Sequence, residues 1–193
     1  MADLKILVFG GSIRTGSFSA KLAALAAKEL AVLGAEVTLI SLADYPMPIY
    51  DADLEAGEGI PENARKLARL LAGSQGAFIA TPEYNHSLPP LLKNAIDWSS
   101  RPKLRSELKL RGRVFGVGSS SPGMIGGARA LIELRKVIVT AYGGIVIPEQ
   151  VSISQAKTAF DDSGYLVAEP PAELLRSLCQ TLAELASRIG LAD

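Results

Sequence analysis

The chain has 193 residues, of which 48% are hydrophobic and 21% charged, as in an ordinary globular domain. Lysine and arginine balance aspartate and glutamate at 20 each, so the chain lacks the basic excess with which nucleic-acid binders neutralise phosphates. One cysteine and one histidine exclude a disulfide within the chain and leave little for a metal site. We therefore expect one domain over residues 1–193, with no metal and no nucleic-acid partner.

The apolar run near the N-terminus, Ile6 to Phe9, is too short for a signal-peptide core or a membrane span. We expect a cytoplasmic protein without a membrane partner. The run instead predicts a first strand, because continuous apolar runs are typical of strands covered on both faces of a parallel sheet.

Strands and helices alternate along the rest of the chain. Leucines at helical spacing and a terminal glycine predict a helix over 19–34. In chain order there follow a strand at 37–40, an irregular segment at 41–60, a helix at 61–71, a strand at 77–80, a helix at 90–98, a strand at 114–118, a helix at 130–138, a strand at 144–147, a poorly patterned segment at 148–170 and a helix at 171–189.

This alternation predicts an α/β fold, a doubly wound sheet of five parallel strands with helices on both faces. Such sheets often have the flavodoxin-like strand order 2-1-3-4-5 and bind ligands beyond the carboxyl ends of the strands. The loops at 10–19, 81–88 and 118–127 lie at that edge.

The first of these loops has the composition of an anion site. Its glycines let a ligand approach the backbone at the start of a helix, hydroxyl groups add donors, and Arg14 adds a fixed charge. Ser17 stands where a nucleoside triphosphatase needs lysine, and no acidic residue ends the second strand to hold a ribose, since Ile40 and Ser41 stand there. A phosphate monoester is the favoured ligand, and a simple helix cap is the alternative.

Two motifs resemble a known family. Residues 11–17 read Gly-Ser-Ile-Arg-Thr-Gly-Ser after the first strand, and residues 82–85 read Pro-Glu-Tyr-Asn after the third. With Lys-Asn-Ala-Ile-Asp-Trp at 93–98, they resemble the NADPH-dependent FMN reductases, a family that includes bacterial quinone and chromate reductases and azoreductase-like proteins.

The resemblance implies an oxidoreductase that passes hydride from NADPH or NADH through FMN to a quinone, free flavin, azo compound or chromate. It places the flavin ring between the second and third loops and implies a homodimer or homotetramer. No catalytic side chain is expected, because the flavin carries the chemistry. The residues expected to bind FMN are Ser12, Arg14, Ser17, Phe18, Ser19, Pro82, Glu83, Tyr84, Asn85, Gly118, Ser119 and Gly123.

Two other functions stay open at this point. A flavodoxin-type electron carrier would bind FMN without oxidising NAD(P)H, although such carriers are usually strongly acidic and this chain has no net charge. A phosphate-ligand binding protein would hold no flavin at all. If the purified protein oxidises NADPH, it is a reductase and not an electron carrier. If it fails to take up FMN, it is a phosphate-ligand binding protein.

Several residues beyond those expected to bind FMN could also carry a function. We expect His86 at the surface or in packing rather than in acid–base catalysis, and Cys179 as a small buried hydrophobe. Arg129 begins a helix, where a cation opposes the dipole, so it faces a partner, the cofactor or solvent. Trp98 suits a subunit interface. The remaining candidates are apolar interface residues at Tyr45, Met47, Ile49 and Tyr50, and a solvated acidic face at Asp51, Asp53 and Glu55.

Overall fold

A parallel sheet forms the centre of the protein, in a computed structural model that describes residues 4–104 and 108–189. Within these ranges five strands pair side by side in the order β2-β1-β3-β4-β5. The order is the predicted one, and it confirms the flavodoxin-like fold class. The strands are β1 (Lys5–Gly10), β2 (Glu36–Ser41), β3 (Gly76–Thr81), β4 (Val114–Ser120) and β5 (Ile145–Ile153).

Helices cover both faces of this sheet. Alternate residues of β1 point to opposite faces, so Ile6 and Val8 pack in one buried cluster while Leu7 and Phe9 pack in another. The first cluster includes residues of α1 and α6, and the second includes residues of α3, α4 and α5. The helices are α1 (Phe18–Val32), α2 (Ala52–Glu58), α3 (Glu62–Ala72), α4 (Pro90–Leu104), α5 (Ala128–Tyr142) and α6 (Glu169–Ile189).

Two elements differ from the sequence-based expectation. Helix α2 lies in the segment predicted as irregular, where the Asp51 side chain caps it by accepting from the amides of Asp53 and Leu54. Strand β5 continues to Ile153, through the start of the segment predicted as poorly patterned. Its pairing with β4 shifts between Phe115 and Val117, and this bulge interrupts the alternation that marks a strand in sequence.

Trp98 is fully buried within its own chain, so the expectation that it suits a subunit interface is wrong. Its Nε1 donates to the Pro48 carbonyl at 2.8 Å, and its ring meets the Tyr50 ring edge-on, with 5.0 Å between centroids. Tyr50 packs against a buried cluster of Ile60, Ala64 and Trp98, whereas Ile49, at 75% exposure, is an exposed apolar residue of the 45–50 segment. Tyr45 and Met47 also pack on their own domain. Trp98 therefore fastens the 45–50 segment to α4.

None of the helices within residues 4–104 and 108–189 has both the length and the apolar composition that a bilayer crossing requires.

Candidate functional site

The carboxyl ends of the strands open onto a cavity of about 480 Å³. Strand pairing sets Gly10 beside Ser41 and Ala80, and Ala80 beside Gly118, so the loops that follow these strands meet at one edge. The cavity brings together eight of the residues predicted to bind FMN and adds four others. Its lining is Ser12, Arg14, Ser17, Phe18, Ser19, Pro82, Glu83, Tyr84, Ser120, Ser121, Pro122 and Lys157.

The loop between β1 and α1 forms one wall of the cavity, and its glycines let it pack closely. The Gly11 amide donates to the Ala80 carbonyl at 2.7 Å, and a Cβ at Gly11 would lie 2.9 Å from Cδ2 of Leu92. Ser17 caps α1, and its Oγ lies 2.9 Å from Oγ of Ser19. Two buried hydroxyl groups therefore stand together at the N-terminus of α1, where the helix dipole favours an anion.

Two cations border the same cavity. The Arg14 guanidinium lies 5.6 Å from the centroid of the Phe18 ring, and its NH1 donates to the Thr15 carbonyl at 3.1 Å. These contacts hold its charge at the wall. Lys157 enters from the loop after β5, and its ammonium makes no hydrogen bond or ion pair with the described residues. Lys157 was not predicted from the sequence, because it lies in the segment 148–170, which has no clear pattern.

The second loop is a tight turn that projects past the cavity. Tyr84 and Ser87 exchange backbone hydrogen bonds of 3.0 Å each, and the residues between them, Asn85 and His86, have φ of +48° and +64°. Two positive φ angles in succession are typical of a type I′ turn, in which asparagine is favoured. Asn85 thus lies at the exposed tip outside the lining, and its contact with a flavin stays a prediction.

Glu83 joins this loop to α5. Its Oε2 accepts from the amides of Arg129 and Ala130 at 3.0 and 3.1 Å, and so caps a helix whose own N-cap, Gly127, offers no side chain. The NH1 of Arg129 lies 3.9 Å from Oε1 of Glu83 and 2.9 Å from Nδ1 of His86. This carboxylate explains why a cation is tolerated at the start of α5, since it offsets the charge that opposes the dipole.

Three predicted residues of the third loop do not line the cavity. A Cβ at Gly118 would lie 2.9 Å from Cζ of Phe78, so this glycine serves the packing of the sheet. The Ser119 Oγ is buried and donates to the Gly126 carbonyl at 2.8 Å, which holds the loop. The Gly123 amide donates to Oγ of Ser121 at 3.3 Å. Their contact with a flavin stays a prediction.

Ser120 is the residue of this strand end that reaches the cavity. Its Oγ is buried, yet it has no hydrogen-bond partner among the residues that the structure describes. A buried hydroxyl left unpaired is costly, and most such groups in proteins find a partner. Ser120 therefore offers an unused donor to a ligand in the cavity.

Two of the residues considered in the sequence lie outside the cavity and have structural roles. Burial raises the pKa of the Cys179 thiol to about 12, which confirms it as an inert buried hydrophobe. Glu55 is buried and pairs with Nε of Arg101 at 2.7 Å, so the expectation of a solvated acidic face is wrong for this residue. Across the described ranges, no group of three or more His, Cys, Asp and Glu side chains is arranged to hold a metal.

Comparison with known proteins identifies the family. Residues 4–158 match the family described as NADPH-dependent FMN reductase. The chain belongs to this family. Membership confirms the resemblance noted in the two sequence motifs and the oxidoreductase class, with FMN as cofactor and NAD(P)H as electron donor.

Individual relatives of this reductase agree with the family match. A quinone reductase of Escherichia coli (strain K12) is 41% identical over 137 residues, which are 70% of each chain. An NAD(P)H-dependent FMN reductase of Pseudomonas aeruginosa is 34% identical over 181 residues, covering 93% of this chain and 94% of the relative. The solved structure of a flavoenzyme NAD(P)H:(acceptor) oxidoreductase from Paracoccus denitrificans has a TM-score of 0.79 at 30% identity, covering 97% of this chain and 100% of that one.

The cavity of this family member fits FMN by its donor chemistry. A phosphate dianion could accept hydrogen bonds from the paired hydroxyls and the helix N-terminus and would be neutralised by the two cations. The unpartnered Ser120 Oγ could bond a polar group farther along the cofactor. Pro82, Tyr84 and Pro122 add the apolar walls that a flat ring needs.

Proposed function

We propose that the protein binds FMN in the cavity at the carboxyl edge of the sheet and reduces a quinone at the expense of NAD(P)H. The observation that carries this proposal is the composition of the cavity, cationic and rich in hydroxyl groups at α1 and apolar at the second and third loops. The quinone is proposed because a relative with 41% identity is named a quinone reductase.

The phosphate end of the site lies at the first loop. Ser17 and Ser19 present their hydroxyl groups at the first turn of α1, which suits the binding of a dianion. Arg14 supplies a fixed charge, since its own loop and Phe18 hold it in place. Lys157 supplies a second charge from the loop after β5. These four side chains orient the cofactor and favour FMN over flavins without phosphate.

The ring end of the site needs no acid–base side chain from the protein. FMN bound in this cavity would supply the hydride chemistry between the nicotinamide and the acceptor, so no side chain of the protein has to carry hydride. Glu83, the carboxylate in the cavity wall, is already bonded to the α5 amides, so its task is to position the loop. Tyr84 is half exposed and leaves the mouth open for donor and acceptor in turn. Solvent at this mouth supplies the proton that quinone reduction consumes.

The proposal is tested by the visible absorbance of the purified protein without air, before and after NADPH or NADH is added. We expect a flavin spectrum that bleaches with either nucleotide and returns when benzoquinone is added. A flavin spectrum that persists identifies the electron carrier of the alternative hypothesis. A protein that takes up no FMN on incubation contradicts the proposed site altogether.

Domain organisation and assembly also remain proposals. We infer one FMN-binding domain over residues 1–193, because β1 and α6, near opposite ends of the chain, contribute to the same buried cluster. We also propose a homodimer or homotetramer, for which Ile49, Ile132 and Val139 offer exposed apolar side chains at 75%, 64% and 51% exposure. Sedimentation at micromolar concentration tests the assembly, and a stable monomer contradicts it. A cytoplasmic location stays a prediction.

A further inference from the structure

A second cavity, of about 380 Å³, lies between the ends of β1 and β2. We call it the β1–β2 crevice. It shares Ser12 with the FMN cavity, and a third cavity of about 250 Å³ meets both at the same residue. The crevice is lined by Gly10, Ser12, Ala20, Ala23, Leu39, Ile40, Ser41 and Asp44.

An acidic side chain stands in this crevice, contrary to the expectation from the sequence. Strand β2 ends at Ser41, and the absence of an acid there argued against a ribose site. A single 3-10 turn, Leu42–Asp44, follows the strand and brings Asp44 to the crevice wall. Its carboxylate makes no hydrogen bond or ion pair with the described residues, so both oxygens are available to a ligand.

The remaining lining suits a nucleoside. The Oγ atoms of Ser12 and Ser41 accept from nearby amides, of Arg14 at 3.3 Å and Ala43 at 3.2 Å, and each hydroxyl keeps its own hydrogen to donate. Leu39 is half exposed and, with the small side chains of α1, forms an apolar wall for a flat base.

We propose that the β1–β2 crevice binds the adenosine half of the nicotinamide nucleotide, with Asp44 accepting hydrogen bonds from the ribose hydroxyls. The inference rests on the proposed function and names the co-substrate more closely. A 2′-phosphate at that ribose would stand against the Asp44 carboxylate, and like charges in contact disfavour the wrong ligand. The site therefore favours NADH over NADPH.

The three cavities provide a path for the rest of the nucleotide. Ser41 pairs with Gly10, and Gly10 pairs with Ala80, so the loops after β2, β1 and β3 lie in sequence along the edge. Adjacent strands are about 4.8 Å apart, which sets β2 and β3 about 10 Å apart. Arg14 and Tyr84 each line both the FMN cavity and the third cavity. An extended dinucleotide would thus pass Arg14 and reach the ring end at Tyr84.

Calorimetric titration of the FMN-loaded protein with ADP-ribose and with 2′-phospho-ADP-ribose tests the crevice without relying on turnover. We expect ADP-ribose to bind the wild type about tenfold more tightly than its phosphorylated form, a difference of about 1.4 kcal/mol. Asp44→Asn should weaken ADP-ribose about tenfold and remove the preference. Asp53→Asn, at an exposed acid on α2, is the control and should change neither affinity.

Failure of the crevice can be told apart from failure of the proposed function. If the wild type oxidises NADH but Asp44→Asn leaves both ADP-ribose affinities unchanged, the crevice proposal is wrong and the reductase proposal stands. The same conclusion follows if reduced nicotinamide mononucleotide, which lacks adenosine, serves as well as NADH. If the protein takes up no FMN and oxidises no NADH, the proposed function is wrong. The titration of the wild type and Asp44→Asn with ADP-ribose then still tests whether the crevice binds adenosine.

Discussion

Two polar regions of the protein use their hydrogen-bonding groups in opposite ways. Around Trp98, polar side chains pair with one another: Glu55 accepts from Tyr50 at 3.1 Å and forms an ion pair with Nε of Arg101 at 2.7 Å. At the cavity, Ser120 and Lys157 have no hydrogen-bond or ion-pair partner among the described residues. Both regions have polar residues beside buried apolar ones, so sequence composition alone does not separate them.

We infer from this difference which polar groups are structural and which are available to a ligand. Buried polar side chains are costly unless they are hydrogen-bonded or ion-paired, and those of Tyr50, Glu55 and Arg101 obtain such partners from the chain itself. At the cavity, by contrast, we expect a bound ligand to provide the missing hydrogen-bond partners. Substitutions around Trp98 should therefore change folding, and substitutions in the cavity should change FMN binding.

The largest effect is expected at Glu55. Glu55→Ala leaves the Arg101 guanidinium without its partner, and breaking a buried ion pair costs about 3 kcal/mol at the lower end of the usual range. The lower end applies because Arg101 is about a third exposed. Urea unfolding measures the loss, and FMN affinity should stay within about twofold of wild type. A marked loss of FMN affinity in the folded variant would break the distinction between the two regions.

The next effect concerns the phosphate end of the cavity. Ser17→Ala and Arg14→Ala each remove a donor to a charged group, worth about 1.5–3 kcal/mol, so FMN affinity should fall by about 10- to 150-fold. Ser17→Ala should also lose about 1 kcal/mol of stability with the helix cap. Flavin fluorescence titration measures the affinity. Thr15→Ala, in the same loop but outside the lining, is the control. Equal FMN affinities in all three variants would show that the phosphate does not bind at this loop.

Two neighbouring serines give the sharpest matched pair. Ser119 and Ser120 are both buried, but only the Ser119 hydroxyl is bonded within the protein. Ser119→Ala should therefore lose about 1 kcal/mol of stability, whereas Ser120→Ala should keep its stability and lose about fivefold in FMN affinity. Thermal unfolding of the FMN-free protein and flavin titration measure the two properties. The reverse pattern would assign the ligand to Ser119.

The smallest effect is expected at His86. Its side chain is 71% exposed and lies outside the cavity lining, so His86→Ala should keep most NAD(P)H oxidation. Steady-state kinetics with NADPH and NADH measure the rate. A loss of several orders of magnitude would mean that the histidine takes part in the chemistry.

The fold was predictable where the signal is local. The apolar runs of β1 and β3 mark buried strands by themselves, because both faces of each strand are covered. Helix α2 was not predicted, since its start depends on the side-chain cap of Asp51 in a segment with prolines and glycines. The end of β5 was missed because a bulge opposite β4 breaks its pattern.

The candidate site, like the fold, was predictable where its residues lie close together in sequence. The first loop has its glycines and hydroxyls in one short segment, and the structure gathers them in one cavity. Lys157 and Asp44 were not found, because loops far apart in sequence bring them to the strand edge. In the third loop, successive strand residues face opposite ways, so Ser120 lines the cavity and Ser119 does not. The predicted contact of Ser119 with FMN stays a prediction.

The central claim is that the hydroxyl-rich, cationic end of the cavity binds the phosphate of FMN. The most direct measurement compares the affinity of the flavin-free protein for FMN and for riboflavin, which differ only in that phosphate. We expect FMN to bind about 100-fold more tightly, a difference of about 2.7 kcal/mol, with a gap that narrows as salt is added. Equal affinities for the two flavins would contradict the account.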